Sequence, residues 1–226
     1  MLTALEWLAL EVKYLDPARE FYETYLDLPV AREGDAEVAF AAGDTDLVLR
    51  RPGPVPRGGL HVHYALSTPA DRYEAWWERL EPHFDLTEHR FGDARSLYFY
   101  DSEGNCVEIG QSERDGADVT GVFEVVLEVE ALDPAEAFYT ALGLDVVDRG
   151  DDRRRIRLTA GAFDLELWEP QLGLADARGG VHADLGLATE NPTAAAEAVA
   201  GAAAGVTPTE AGVRVRDPDG HYLTFL

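Results

Sequence analysis

The sequence is poor in cysteine and in long apolar runs. Cys106 is the only cysteine among 226 residues, which excludes an intrachain disulfide and a cysteine metal cluster. No apolar run approaches the length of a transmembrane helix, and the N-terminal residues lack a basic region followed by an apolar core. We therefore expect a cytoplasmic protein that is neither exported by a standard signal nor embedded in a membrane.

Positive charge is also scarce. Nineteen basic residues stand against 43 acidic ones, the net charge is −24, and Lys13 is the only lysine. Such a chain repels nucleic acid phosphates and anionic membrane surfaces, so we expect neither as a partner. The acidic residues are scattered along the chain, which is typical of halophilic proteins, because molar salt shortens the Debye length to about 3 Å. We expect a small-molecule substrate, and a monomer or homodimer.

What the sequence does contain is an internal duplication. Three motifs of the first half recur in the second half in the same order: a strand followed by Leu-Asp-Pro-Ala and Phe-Tyr, a Gly-Gly pair leading into a strand, and an Asp-x-x-Gly hairpin. The matching segments are 8–22 and 125–139, 58–68 and 179–189, and 101–109 and 217–225. The two halves therefore have the same fold, and we place their boundary in the polar stretch 111–118, between domains 1–112 and 118–226.

Each half reads as two modules in which a strand, a helix and several short strands follow one another. The four modules are 1–52, 58–112, 118–172 and 178–226. We predict helices at 18–26, 71–80, 134–142 and after Asn191-Pro192, with Asp16 as the N-cap of the first. The predicted closing strands are 37–40, 46–50, 96–100, 106–109, 153–159, 163–168, 213–216 and 222–226.

These ordered motifs, ending in an Asp-x-x-Gly hairpin and a strand that holds Glu108, resemble the vicinal oxygen chelate superfamily over nearly the whole chain. The resemblance implies an α+β fold of four βαβββ modules, which form two cupped, barrel-like mixed sheets with helices outside. The second module, with His63-Tyr64-Ala65-Leu66 and the hairpin before Glu108, also resembles four-module ring-cleaving dioxygenases.

In this family the metal ligands lie on the first and last strands of each module and point into a cup that two modules share. The corresponding positions are Trp7 and Val48 in module one, His61 or His63 with Glu108 in module two, Glu124 and Glu166 in module three, and His182 with Thr224 in module four. A site needs three or four ligands around one ion. Pairing module two with module three, as in the glyoxalase I branch, gives one complete cup and one without ligands, and we favour that pairing.

The residues themselves leave alternatives open. The Gly-Gly alignment favours His61 as the ligand, whereas the spacing into the following strand favours His63. Glu108 lies between apolar neighbours, where an unpaired carboxylate is costly, but Glu124 and Glu166 equally suit solvent-facing strand positions. Away from these positions the sequence predicts structural roles. His83, His89 and His221 are expected on the surface or in loops, Tyr73, Trp76 and Trp77 in a helix core, and the arginines 153–155 paired with Asp151 and Asp152.

The resemblance implies a divalent metal ion, Mn, Co, Ni, Zn or Mg, that binds two adjacent substrate oxygens as a Lewis acid. In a glyoxalase I-type lyase or isomerase, Glu108 or Glu166 would then move a proton between neighbouring carbons. Extradiol ring cleavage uses Fe(II), usually held by two histidines and one carboxylate, and therefore requires His61 and His63 both to bind or His182 to join. The third hypothesis is a metal-free protein that binds or sequesters a small molecule.

Overall fold

The computed structural model describes residues 2–53, 62–150, 154–170 and 183–226. Within them, sixteen strands and four α-helices follow the module pattern. The helices are α1 (Leu15–Phe21), α2 (Tyr73–Leu80), α3 (Leu132–Ala141) and α4 (Pro192–Val199). The strands are β1 (Leu2–Glu11), β2 (Val30–Glu33), β3 (Glu37–Ala42), β4 (Thr45–Arg50), β5 (Val62–Pro69), β6 (Thr87–Phe91), β7 (Ala94–Tyr100), β8 (Cys106–Ser112), β9 (Gly121–Glu128), β10 (Asp145–Arg149), β11 (Arg155–Thr159), β12 (Asp164–Trp168), β13 (Ala183–Thr189), β14 (Gly205–Pro208), β15 (Val213–Arg216) and β16 (Tyr222–Phe225).

The strands form two mixed sheets of eight. One, the terminal sheet, joins modules one and four in the order β14-β15-β16-β13-β1-β4-β3-β2. The other, the central sheet, joins modules two and three in the order β10-β11-β12-β9-β5-β8-β7-β6. In both, the first strands of the two modules pair antiparallel at the centre, and each pairs in parallel with the last strand of its own module. The α+β prediction is confirmed, and each half of the chain contributes one module to each sheet.

The sequence missed four strands, one in every module. β2, β6, β10 and β14 are the outermost strands of the two sheets, and their side chains are mostly exposed. An edge strand with no buried face has little apolar alternation, so the pattern that reveals the inner strands is weak there. The predicted inner strands are confirmed to within a few residues.

The helix starts follow the sequence in part. Helix α4 is capped as its Asn-Pro start suggests, because the side-chain oxygen of Asn191 accepts a hydrogen bond from the Ala194 amide at 3.0 Å. Helix α1 instead begins at Leu15 after an extended Tyr14, and no side chain caps it. The prediction of Asp16 as N-cap was wrong, because this residue lies inside the first turn, where its charge still favours the positive end of the helix dipole. A π-helical turn, Tyr22–Leu26, continues α1.

Two buried tyrosine–aspartate hydrogen bonds connect the sheets, one in each half. The Tyr22 hydroxyl, after α1, donates to Asp101 Oδ2 in the β7–β8 hairpin at 2.7 Å. The Tyr139 hydroxyl, in α3, donates to Asp217 Oδ2 in the β15–β16 hairpin, also at 2.7 Å. Because each helix belongs to one sheet and each hairpin to the other, the duplicated motif holds the sheets together.

The second hairpin also corrects a prediction. His221 was expected on the surface or in a loop; it lies in the β15–β16 hairpin loop but is fully buried, and its Nε2 lies 2.9 Å from the Glu128 carbonyl oxygen. A histidine within an Asp-x-x-Gly hairpin looks solvent-exposed in sequence, and only the packing of the two sheets buries it. His83 and His89 are exposed as predicted, and Tyr73 and Trp76 lie in the core. Within the described residues, no helix has the length and apolarity to cross a membrane.

Candidate metal centre

The inner strands of the central sheet bring three predicted ligands to one face. In one row across the sheet, Glu108 on β8 and Glu124 on β9 both pair with Ala65 on β5. His63 lies two residues before Ala65, so its side chain points to the same face. The two glutamates lie on strands that flank β5, about 4.8 Å to either side of it. The small Ala65 side chain leaves room for their carboxylates to meet above it.

The three side chains converge and are almost fully buried. Ligand atoms of His63, Glu108 and Glu124 all lie within 4.8 Å of one another. The His63 Nε2 and Glu108 Oε2 atoms are 3.1 Å apart, and the residues are 2%, 4% and 6% exposed, respectively. Two adjacent ligands about 2.1 Å from one ion in an octahedral site lie about 3 Å apart. The donor set therefore fits a divalent cation in chemistry, and the His63–Glu108 pair fits it in spacing.

His63 is oriented by aromatic rings and leaves a nitrogen available. The Tyr98 and Trp168 rings contact the imidazole edge to face, with centroids 5.6 and 5.8 Å away. Its Nδ1 is buried and has no hydrogen-bond partner among the described residues. Buried polar atoms are normally paired, so Nδ1 lacks the partner that such an atom usually has, while Nε2 is the nitrogen that faces Glu108.

The two carboxylates of this cluster have opposite pKa shifts. Burial raises the pKa of Glu108, but hydrogen bonds from His63, Ser96 and Tyr98 outweigh burial and hold the pKa below its usual value. Burial, followed by repulsion from Glu166 and Glu108, raises the pKa of Glu124 to about 7. Attraction by His63 and by Arg157, whose Nη2 lies 3.1 Å from Glu124 Oε2, offsets only part of that shift.

Glu166 faces the same cavity but lies outside the three-residue cluster. Its Oε1 accepts a hydrogen bond from Arg155 at 2.8 Å, and its Oε2 accepts one from Trp168 Nε1 at 2.7 Å. Arg155 also donates to Asp148 at 2.6 Å. Both carboxylate oxygens are thus held by protein donors. The prediction that residues 153–155 pair with Asp151 and Asp152 was wrong for Arg155; those two aspartates and Arg153 lie outside the described residues.

A cavity of about 250 Å³ opens above the cluster. Besides the four acidic and imidazole side chains, its wall combines aromatic rings with two guanidinium groups. The additional lining residues are Phe91, Ala94, Ser96, Tyr98, Gln111, Phe123, Arg155, Arg157 and Trp168. A polar floor with mainly aromatic and cationic walls suits a small ligand that carries both apolar surface and oxygen atoms.

Sequence reasoning missed several residues of this site, chiefly Arg155, Arg157 and Trp168. Their positions relative to Glu166 in the sequence could have identified them. Trp168 lies two residues after it on β12, and Arg157 pairs with it across β11 and β12. Residues related in this way share a sheet face, so the prediction of Glu166 could have extended to them. The alternative ligands His61 and His182 lie outside the described residues.

No family model and no curated protein matches the sequence. Solved structures do match it. A candidate dioxygenase from Bacillus subtilis superposes with a TM-score of 0.78 over 99% of this chain and 84% of its own, at 17% identity. Glyoxalase I from Zea mays superposes with a TM-score of 0.71 over 98% of this chain and 91% of its own, also at 17% identity. The chain has the vicinal oxygen chelate fold. At this identity the likeness concerns the fold alone.

The terminal sheet has the same strand order as the central sheet, and we call its concave face the second cup; two of its described positions that correspond to predicted ligands are apolar. Trp7 and Val48 pack together with Ala9 and Ala39 in a small apolar cluster. The Trp7 ring lies so close to Gly186 that an added Cβ would be 2.1 Å from a ring carbon. Among the described residues, these apolar side chains occupy the positions that correspond to Glu124 and Glu166.

Proposed function

We propose that the chain is a divalent-metal enzyme of the vicinal oxygen chelate type that acts on a small molecule with two adjacent oxygens. The observation that carries the proposal is the buried cluster of His63, Glu108 and Glu124 beneath an aromatic cavity. In the metal-free protein Glu124 and Glu108 repel each other, and this contributes to the raised pKa of Glu124. A divalent cation would offset that repulsion.

A cation held there would supply Lewis acidity, which offsets negative charge on two adjacent substrate oxygens. With Mn, Co, Ni, Zn or Mg as the ion, the protein's part is to bind the substrate, to exclude water and to move a proton. Phe91, Phe123 and Trp168 supply the apolar wall. Arg155 and Arg157 supply positive charge beside it and suit a substrate that is anionic or becomes anionic during the reaction.

We assign the proton transfer to Glu166, in a glyoxalase I-type isomerisation or lyase reaction. Glu108 is a poor base, because donors from His63, Ser96 and Tyr98 stabilise its charged form. Glu166 lines the cavity without belonging to the cluster, and displacement of the Arg155 guanidinium by an anionic substrate would expose Oε1. That oxygen would accept a proton from the carbon beside a substrate carbonyl and return it to the neighbouring carbon.

The donor set ranks this reaction above ring cleavage. Fe(II) oxygenases typically use two histidines and one carboxylate, whereas the described part of the cluster contains one histidine and two carboxylates. Ring cleavage remains the second hypothesis because His61 and His182 lie outside the described residues. A metal-free binding protein is the third, since an aromatic cavity with two arginines can also bind a small anion without chemistry.

Metal analysis of Glu108→Gln tests the proposal. Protein purified without chelators is expected to hold one divalent ion per chain, and this substitution should remove most of it, because the amide carries no charge and cannot replace a carboxylate ligand. The matched control is Asp184→Asn. It also neutralises a nearly buried carboxylate, 3% exposed, but in the second cup, and should leave the metal content unchanged.

Activity measurements then separate the three hypotheses. Proton transfer is expected to appear as solvent deuterium incorporation into 2-oxoaldehyde thiol adducts, and to be lost in Glu166→Gln with metal retained. Oxygen uptake on catechols after anaerobic iron loading would support ring cleavage instead. Wild-type protein that holds no metal, even after dialysis against Mn, Ni and Zn salts, would leave only the binding protein.

A further inference from the structure

The second cup carries positive charge where the first carries ligands. The Gly-Gly alignment of the two halves places Asp184 at the position of His63 and Thr224 at the position of Glu108. The Thr224 hydroxyl donates to Asp184 Oδ1 at 2.8 Å, so the two side chains of this pair are in contact, as His63 and Glu108 are. In this pair, however, both carboxylate oxygens of Asp184 accept hydrogen bonds from protein donors.

Two arginines, Arg50 and Arg214, contact the Asp184 carboxylate of this pair. Asp184 Oδ2 accepts hydrogen bonds from Arg50 Nη1 at 2.8 Å and lies 2.9 Å from Arg214 Nη2. Asp184 is only 3% exposed, so the two guanidinium groups are fixed around a buried anchor. Arg50 Nε is bound by Glu37 at 2.9 Å and Arg214 Nε by Thr224 at 3.1 Å. The remaining nitrogens, Arg50 Nη2 and Arg214 Nη1, form no hydrogen bond with the described residues.

Both arginines line a cavity of about 300 Å³. Arg51 also lines it, and the only carboxylates in its described wall are Glu11 and Asp184, so the wall has one excess positive charge. A neighbouring hollow of about 170 Å³ shares Arg214 and adds Arg216. The net charge of the chain is −24, so this excess is opposite in sign to that of the protein as a whole. Tyr222 and two threonines complete the wall.

We propose that this second cup is a metal-independent binding site for a small molecule that carries a carboxylate or phosphate group. Two guanidinium groups fixed on one buried aspartate present spare N–H donors at the cavity wall, and planar forks of this kind suit the oxygens of carboxylates and phosphates. The aspartate holds the arginines in place and at the same time competes for them. The site does not depend on the metal centre proposed for the central sheet.

Calorimetric titration of EDTA-treated protein, in buffer without phosphate or sulfate, tests the proposal. The probes are benzoate, phenyl phosphate and neutral benzyl alcohol, which share one ring and differ in the polar group. We expect one-to-one binding of an acid and none of the alcohol, and the tighter of the two acids identifies the group that the site takes. Absence of heat from both acids up to about 10 mM, a free energy near −3 kcal/mol, would overturn the proposal.

Two substitutions predict opposite changes in affinity. Arg51→Gln, on the exposed rim, should weaken acid binding about tenfold, because one charged donor is lost. Asp184→Asn should strengthen binding about tenfold, because both guanidinium groups lose their internal competitor. A purely structural role for these residues predicts loss of binding in both. Arg155→Gln, in the central cup, is the control; an acid whose binding is weakened by Arg155→Gln and not by Arg51→Gln binds at the other cup, and the proposal fails.

Unfolding curves and metal content keep these results separate from misfolding and from the proposed enzyme. Each variant should unfold cooperatively and bind as much metal as the wild type, since Arg51 and Asp184 lie outside the central sheet. If Asp184→Asn does not fold, the exposed Arg51→Gln variant still decides the question. Loss of the metal site in Glu108→Gln is expected to leave acid binding in the second cup unchanged.

Discussion

Replacing Glu124 with glutamine should make the metal-free protein more stable at alkaline pH. Burial, with repulsion from Glu166 and Glu108, raises the pKa of Glu124 from its ordinary 4.5 to about 7 in the folded state, so between these pH values the folded state binds more protons than the unfolded state. The free energy of unfolding therefore falls as pH rises through this window. A rise in pKa from 4.5 to about 7 corresponds to about 3 kcal/mol in the free energy of unfolding, and this stability is lost once the pH is above 7. Glutamine has no such loss.

The contact between Glu124 and Arg157, at 3.1 Å, reduces the expected gain, because the variant gives up that ion pair. We expect a net stabilisation of about 1–3 kcal/mol at pH 8 and a difference near zero at pH 5. Urea unfolding of EDTA-treated wild type and Glu124→Gln at the two pH values measures it. With a saturating divalent metal the order should reverse, because only the wild type keeps all three ligands.

Glu108→Gln is the control with the opposite sign. The pKa of Glu108 is lowered in the folded state, so its charged form adds stability above the unfolded pKa, and that stability is lost as pH falls through the folded value. Its replacement should therefore destabilise the metal-free protein at pH 8. A Glu124→Gln variant that is less stable than the wild type at pH 8, with the same pH dependence, would refute the reasoning.

Two further predictions concern packing. Tyr22→Phe removes the 2.7 Å hydrogen bond to buried Asp101 and should lower the free energy of unfolding by about 1–3 kcal/mol, as should Tyr139→Phe at the duplicated position; denaturant curves matching the wild type would contradict this. Gly186→Ala places a Cβ against the Trp7 ring and should lower the free energy of unfolding by about 1–3 kcal/mol. In a Trp7→Ala background the same substitution should cost little, because the ring that it contacts is gone. If Gly186→Ala is equally destabilising in both backgrounds, contact with Trp7 is not the cause.

The sequence alone determined the module plan of the fold. The duplicated Leu-Asp-Pro-Ala starts, the Phe-Tyr pairs and the Asp-x-x-Gly hairpins are local patterns, and each fixes the order of elements within one module. Strands buried on at least one face showed the expected alternation and were found. The edge strands β2, β6, β10 and β14 were not, because their exposed side chains carry no such pattern.

Glu108 could be selected from its own neighbours, since Val107 and Ile109 are fully buried on either side of it. Glu124 could not, because an alternating strand with a glutamate looks the same whether its polar face meets water or another module. Its burial depends on the antiparallel pairing of β5 with β9, which joins residues some sixty positions apart in sequence. Only the tertiary structure supplies such a partner.

The sequence likewise could not predict the partners of Glu166 or those of Asp184 in the second cup. Arg155 and Trp168 hold Glu166 apart from the cluster, and Arg50 and Arg214 converge on Asp184 from two different modules. Sequence determines which side chains each strand presents on a given face, because that depends on a two-residue period. Which charges then meet depends on how modules from opposite halves pair, and this is decided by long-range strand pairing and the packing of the shared core.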